Sequence, residues 1–195
     1  MSVRAPLDVL NRMVYSAANY WFMLVVDLLG AAAFLVLGLS QHEGGSLVPA
    51  GVAIAGFFGW GLLEYGLHRW ILHGPRSMAR EGHAQHHSDP QALISTPMFV
   101  VMVGAIVIWA ISRLLMPESL AAFLVFGLYA GYNYFVIVHH WQHHRPQDLA
   151  RVPFLHRLEQ MHHMHHERQL VNFGISSTLW DRVFGTFRAP EEDAH

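Results

Sequence analysis

Four apolar runs constrain this chain more than any other feature. They cover Tyr20–Leu39, Leu47–Leu63, Pro97–Met116 and Ser119–Val138, interrupted inside the first only by Asp27. About twenty residues at 1.5 Å rise span the roughly 30 Å of bilayer hydrocarbon. A buried core helix is the alternative for such a run, but at this length a membrane span is the expectation. Composition agrees. Hydrophobic residues make up 53% and charged residues 13%, where a soluble domain carries about 25% charge. The breaks are short: Ser40–Ser46 with Gly44 and Gly45, then Gly74-Pro75, then Pro117. Residues 1–19 form a polar-to-amphipathic lead with Arg4 and Arg12. No strand alternation and no repeat of 20–50 residues is visible. A length of 195 residues fits one domain over 1–195. The first apolar run is not followed by a small-residue cleavage site, so no removable signal peptide is expected.

Four spans, at about 20–39, 47–64, 97–116 and 119–138, alternate direction. They put Ser40–Ser46 and the Pro117 hinge on one side. The N-terminus, the Gly74–Thr96 loop and everything after His139 fall on the other. Eleven of the twelve arginines lie on that second side, Arg113 being the exception. An excess of Arg marks the cytoplasmic side. The reading is therefore an all-α, multi-pass integral membrane protein. Its N-terminus, C-terminus and a helical cap over 65–96 and 139–188 are cytoplasmic.

Histidine follows the same sidedness. Of sixteen histidines, fifteen share the arginine side, and only His42 does not. Nine lie between His139 and His166. The chain ends in the acidic stretch Glu191–His195, so the histidines are native rather than a purification tag. Neutral imidazole is a ligand for iron, zinc, copper or nickel. On a helix, residues i, i+3 and i+4 share a face. His83, His86 and His87 meet that rule, as do His139 with His143, and His162 with His165 and His166. His68 and His73 are five apart. At about 100° per residue they diverge by about 140° on a regular helix. They would then serve two different ions, or the helix would bulge between them. Ten candidate ligands at four or five per ion make two ions. His140, His144 and His163 fall outside that spacing and are register alternatives, because a slip to His140 and His144 keeps the same i, i+4 chelate. His156 is isolated, and His42 and His195 read as surface residues.

Several chemistries are excluded. The chain has no cysteine, hence no disulfide, thiolate zinc site or cysteine nucleophile. It has no basic stripe for nucleic acid. It has no HExxH, no GxGxxG after a strand and no CxxCH. Glu64 and Glu167 flank the clusters, so a metallohydrolase stays open. A metal buffer or transporter also stays open, although a transporter would place its ligands near the midplane. A dense nitrogen site at the lipid boundary suits dioxygen-dependent oxidation of a lipid C–H bond.

The ordered set His68-Arg69-Trp70-Ile71-Leu72-His73, His83-Ala84-Gln85-His86-His87, His139–His144 and His162-His163-Met164-His165-His166 resembles the histidine boxes of the fatty acid hydroxylase superfamily. The later segments Asn172-Phe173-Gly174 and Trp180–Thr186 resemble it too, most closely in the fatty acid and sphingolipid 2-hydroxylase branch. The match runs from about Glu64 to Phe187. The resemblance implies four spans under a cytosolic cap. It also implies a dinuclear iron centre on the ten histidines named above, a site that zinc can occupy in purified protein. The implied reaction uses O2 on a fatty acyl chain near its carboxyl end. Carotenoid or sterol hydroxylation or desaturation is the alternative within the family. The cytochrome b5 domain fused to some relatives does not precede the first span, so a separate donor of cytochrome b5 or ferredoxin type is implied.

Other residues carry expectations of their own. Glu64, Asn172 and Asp181 could hydrogen-bond ligand imidazoles. Asn172 could equally serve a turn. Tyr129, Tyr132 and Asn133 could line an acyl path or, with Tyr134, form an interfacial aromatic belt. Asp27 is either functional or paired within the spans. Trp180, Phe184 and Phe187 read as packing residues.

Overall fold

The computed structural model describes residues 4–190, with side chains from residue 9 on. The acidic tail and His195, and the side chain of Arg4, lie outside the described residues. Among the described residues, nine α-helices and one π-turn follow in order: α1 Arg4–Val14, α2 Ala17–Gln41, α3 Leu47–Gly66, the π-turn Leu67–Leu72, α4 Met78–Ser88, α5 Met98–Ser112, α6 Glu118–His144, α7 Pro146–Leu149, α8 Pro153–Glu167 and α9 Leu179–Val183. No strand occurs among the described residues.

Among the described residues, three helical stretches are long and apolar enough to cross a membrane: Ala17–Gln41, Leu47–Leu72 and Glu118–His144. The third apolar run behaves differently from its sequence. Its helix covers only Met98–Ser112, 15 residues, or about 22 Å at helical rise. The chain then tightens, with Leu114 N donating to Ile111 O and Leu115 N to Ser112 O. Two causes are visible. Met116 precedes Pro117, and a residue before proline is steered away from helical geometry. Arg113 lies over the Trp109 ring at 4.6 Å and 3.5 Å from Glu118, which holds the turn. The fourth run goes the other way, since α6 continues unbroken through His144.

The chain divides into two compact units. The first comprises the chain up to Trp60 together with Ala92–Asn133. Large apolar side chains such as Phe22, Leu29, Val36, Phe58 and Val103 point outward here, the reverse of a water-soluble surface and suited to lipid contact. The inward stripe of α2 is Asn19, Met23, Asp27, Ala31 and Gly38, a spacing near four residues that keeps one face inside. Asn19 ties α2 to the entry of α5: its Nδ2 donates to Ser95 Oγ and Thr96 O, and its Oδ1 accepts from Met98 N. Asp27 is buried beside Tyr129 and Tyr132. Tyr132 Oη donates to Met23 Sδ, and Asn133 Nδ2 donates to the Tyr129 carbonyl. Helices α3 and α6 touch backbone to backbone at Gly127, where a Cβ would collide with the Ala53 carbonyl oxygen.

The second unit comprises Gly61–Gln91 and the chain from Tyr134 on. Its core is Tyr65, Leu149, Leu158, Met161, Phe173 and Ile175, all buried. Ser77 caps α4 by accepting from Arg80 N, which satisfies one of the free amides of the first turn. Pro146 and Pro153 each open a helix, where the missing N–H costs nothing. Phe184 stacks on Tyr65 at 5.0 Å and meets Trp70 edge-on, so the aromatic C-terminal residues pack as their spacing suggests.

Candidate metal centre

All ten histidines singled out by spacing lie in the second unit, in two groups of five. His68, His73, His83, His87 and His165 form one group; His86, His139, His143, His162 and His166 form the other. Within each group the nearest nitrogens all lie within 4.8 Å of one another.

Each group is two chelating pairs plus one single. The first group takes His68 with His73 from the π-turn, His83 with His87 from α4, and His165 from α8. The second takes His139 with His143 from α6, His162 with His166 from α8, and His86 from α4. The HxxHH segments are therefore split. Their i, i+4 members face one group, and the i+3 member, about 100° around the helix from its neighbour, faces the other. Spacing alone places all three on one face.

The π-turn resolves the five-residue spacing. His73 N donates to the His68 carbonyl at 3.0 Å, an i to i+5 bond that widens the turn. That extra width carries His73 back over His68, with ring centroids 5.0 Å apart.

The nitrogens are arranged for an ion rather than for one another. In the first group Nε2 of His83 lies 3.0 Å from Nε2 of both His68 and His73 and 3.1 Å from that of His87, while His73 lies 3.0 Å from His165. In the second group the neighbouring Nε2 separations are 3.2 Å for His86–His139, 3.2 Å for His139–His143, 2.8 Å for His143–His162 and 3.2 Å for His162–His166. Two nitrogens each about 2.1 Å from an ion and at right angles lie about 3.0 Å apart, and opposite ones about 4.2 Å. Five converging Nε2 lone pairs match that pattern, and imidazoles alone cannot all satisfy one another there.

Electrostatics keeps the imidazoles neutral. Burial, then neighbouring imidazoles and Arg80, lowers His73 to about 4. Burial and the His143 and His87 rings lower His86 to about 3. Burial lowers His165 to about 3 against the opposing pull of the Val171 carbonyl, and His83, His162 and His166 are lowered for the same first reason. A neutral ring is the ligating form.

The acidic residues act one layer out. Glu64 Oε1 accepts from Ile175 N at 2.6 Å and Ser176 N at 2.9 Å, and Oε2 accepts from Ser176 Oγ. Asp181 accepts from Phe173 N at 2.7 Å, Gly174 N at 2.8 Å and Thr186 Oγ1 at 2.7 Å. Neither touches an imidazole; together they hold four consecutive amides, 173–176. His68 Nδ1 donates to the Phe173 carbonyl at 2.6 Å and His165 Nδ1 to the Val171 carbonyl at 2.8 Å. Those bonds put the proton on Nδ1 and leave Nε2 free. A Cβ at Gly174 would collide with the Ser177 carbonyl oxygen and come 2.8 Å from Asp181 Oδ2, so the clamp requires glycine there. Asn172 also serves the backbone, at φ 51°, with Oδ1 accepting from Arg188 N and Nδ2 donating to Arg188 O.

The register alternatives lie elsewhere. His140 and His144 stack on each other at 4.5 Å, outside both groups. His163 pairs with Glu167 at 3.6 Å. His156 meets Gln160 and Glu159, and His42 Nε2 meets the Gly45 carbonyl. Tyr129, Tyr132 and Asn133 are described in the first unit, in the contacts given above. Sequence reasoning missed the Phe173 and Val171 carbonyls, because a backbone acceptor leaves no mark in residue type. It also missed a cavity of about 300 Å³ lined by Gln91, Gln142, Glu159, His143, His162 and His166 among others.

Comparison with known proteins follows the same outline. The fatty acid hydroxylase family model matches residues 53–186. The dihydroceramide fatty acyl 2-hydroxylase FAH2 of Arabidopsis thaliana is 32% identical over 77% of this chain and 67% of its own length. The fatty acid 2-hydroxylase of Rattus norvegicus is 31% identical over 73% of this chain, which spans 41% of that protein. A solved structure of full-length scs7p, with only its hydroxylase domain visible, aligns with a TM-score of 0.72 at 24% identity, over 92% of this chain and 69% of that one; that likeness speaks for the fold.

Proposed function

The chain belongs to the fatty acid hydroxylase family, and from that premise we propose that it hydroxylates a fatty acyl C–H bond near the carboxyl end with dioxygen. The two groups of five converging histidines carry the reading. The relatives named as fatty acid 2-hydroxylase and dihydroceramide fatty acyl 2-hydroxylase support the position. Two iron ions held by the ten histidines would supply dioxygen activation. One oxygen atom enters the C–H bond and the other leaves as water, with two electrons from a separate donor protein and two protons. Zinc can take the same nitrogens, since it binds such sites more tightly than ferrous iron.

The chain's own residues have distinct parts in this reading. The ten Nε2 atoms hold the ions. Phe173 and Val171 orient His68 and His165. Glu64 and Asp181 keep that backbone in place. Hydrolysis with Glu64 as base fits poorly, because both its oxygens already accept hydrogen bonds. Glu167 is largely exposed beside His163. We take four spans, including the short α5, with a cytoplasmic cap in one domain. Tyr129, Tyr132 and Asn133 are the proposed acyl-lining residues.

The test is product analysis under ¹⁸O2. The protein, with iron, a reductant and an electron-transfer protein, should give a 2-hydroxy acyl lipid carrying one labelled oxygen. An unlabelled product, or turnover without oxygen, overturns the proposal.

A further inference from the structure

The two histidine groups differ in what stands behind them. In the group of His68, His73, His83, His87 and His165, two rings are locked by Nδ1 bonds to the Phe173 and Val171 carbonyls. That backbone is itself braced: Asp181 takes the amides of Phe173 and Gly174, and Thr186 O accepts from Asn172 N. The segment behind these rings is therefore fixed at both ends. In the group of His86, His139, His143, His162 and His166, no ring has a carbonyl partner at Nδ1 among the described residues, and Nδ1 of His162 and His166 is buried without a partner. His87 in the first group has only the His166 backbone nearby and no braced carbonyl of this kind, so the contrast rests on the two locked rings. Three rings of the second group, His143, His162 and His166, line the cavity of about 300 Å³.

Gln142 lines the same cavity, one residue before His143 on α6. It is 5% exposed. Its Nε2 donates to the Ile175 carbonyl at 3.4 Å, which leaves Oε1 buried with no partner among the described residues. A buried acceptor left without a donor costs about 1–3 kcal/mol. Gln142 is among the polar side chains lining the adjoining cavity, so that cavity is where a donor would have to bind to pair with it.

We propose that the two groups hold their ions unequally: the His68 group is locked by its braced carbonyls, while the His86 group is the exchangeable, ligand-facing one, with Gln142 offering its amide oxygen to an O–H or N–H donor in the cavity. This rests on the metal reading given under Proposed function. Gln142 and Asp181 are positioning residues, acting through the donor in the cavity and through Phe173 respectively.

The experiment is metal release from the zinc-loaded full chain in detergent, on adding excess EDTA, followed by elemental analysis. Two phases of equal amplitude are expected, separated by about tenfold or more, because partners of ligating imidazoles shift metal affinity by roughly 10–100-fold. His139→Ala should remove the fast phase and keep the slow one. Asp181→Asn should speed the slow phase by about tenfold and leave the fast phase unchanged. Gln142→Leu should alter only the fast phase. Release of two ions in a single phase overturns the inequality while leaving the metal reading intact, and so does equal acceleration of both phases by Asp181→Asn. A chain that binds no metal overturns both.

Discussion

Protons and metal ions compete for the same imidazole nitrogens. Free histidine titrates near pH 6.5, whereas burial holds His73 near 4 and His86 and His165 near 3. Above about pH 6.5 folded and unfolded chains both carry neutral rings, and the stability is fully present. Below it the unfolded chain takes up protons that the folded chain refuses, so stability falls as pH drops from about 6.5 toward 4 and 3. Thermal melts of the metal-free protein at pH 8, 6 and 5 should therefore show a falling Tm; a flat profile contradicts the neutral-ring picture. At Glu64, Leu would leave the Ile175 and Ser176 amides without their acceptor. Glu64→Leu should cost about 1–3 kcal/mol, read from denaturation in detergent. The pairs His83–His87, His139–His143 and His162–His166 were legible because a chelating pair on a helix needs a fixed spacing; His68 with His73 was not, since on a regular helix the two diverge. The division of each HxxHH between two groups was not, since it depends on how α4 and α8 are rotated against their neighbours.

The π-turn is the element on which the first group depends. Inserting an alanine between Ile71 and Leu72 would set the two histidines six residues apart, about 240° around a regular helix, a spacing that neither an α-turn nor the π-turn brings onto one ion. Metal stoichiometry should fall from two to about one per chain with helical content unchanged by circular dichroism; two retained ions would show that the turn is dispensable. The five-residue spacing raised the possibility of a bulge, but only the His73 N to His68 O bond identifies which kind. At Gly127 the α3–α6 contact leaves no room for a methyl group. Gly127→Ala should force the helices apart and lower stability by about 1–3 kcal/mol, measured as a lower Tm. Helix existence was legible from the apolar runs. The early end of α5 was not, because Arg113-Leu114-Leu115-Met116 is mostly apolar and the stop comes from Pro117 and the Arg113–Glu118 pair.

For the whole molecule, the proposed topology makes a prediction that the sequence itself simplifies. With no native cysteine, single cysteines report sidedness without background. Gly44→Cys should react with an impermeant maleimide on intact cells, while Ser77→Cys should react only after permeabilisation. The reverse pattern would invert the orientation. The all-helical class and the membrane character were legible in composition and run length. The arginine bias suggested sidedness, but it reports on insertion, and no distance within the folded chain encodes it.

The clamp at 173–176 also has a consequence for biosynthesis. Glu64 bonds to Ile175 and Ser176, more than a hundred positions later in the chain, and Asp181, which holds Phe173, comes later still. A chain emerging N-terminus first has all ten histidines outside the ribosome before the carbonyls that orient His68 and His165 are secured. A chain truncated near residue 170 would carry every ligand and still lack the segment that aims two of them.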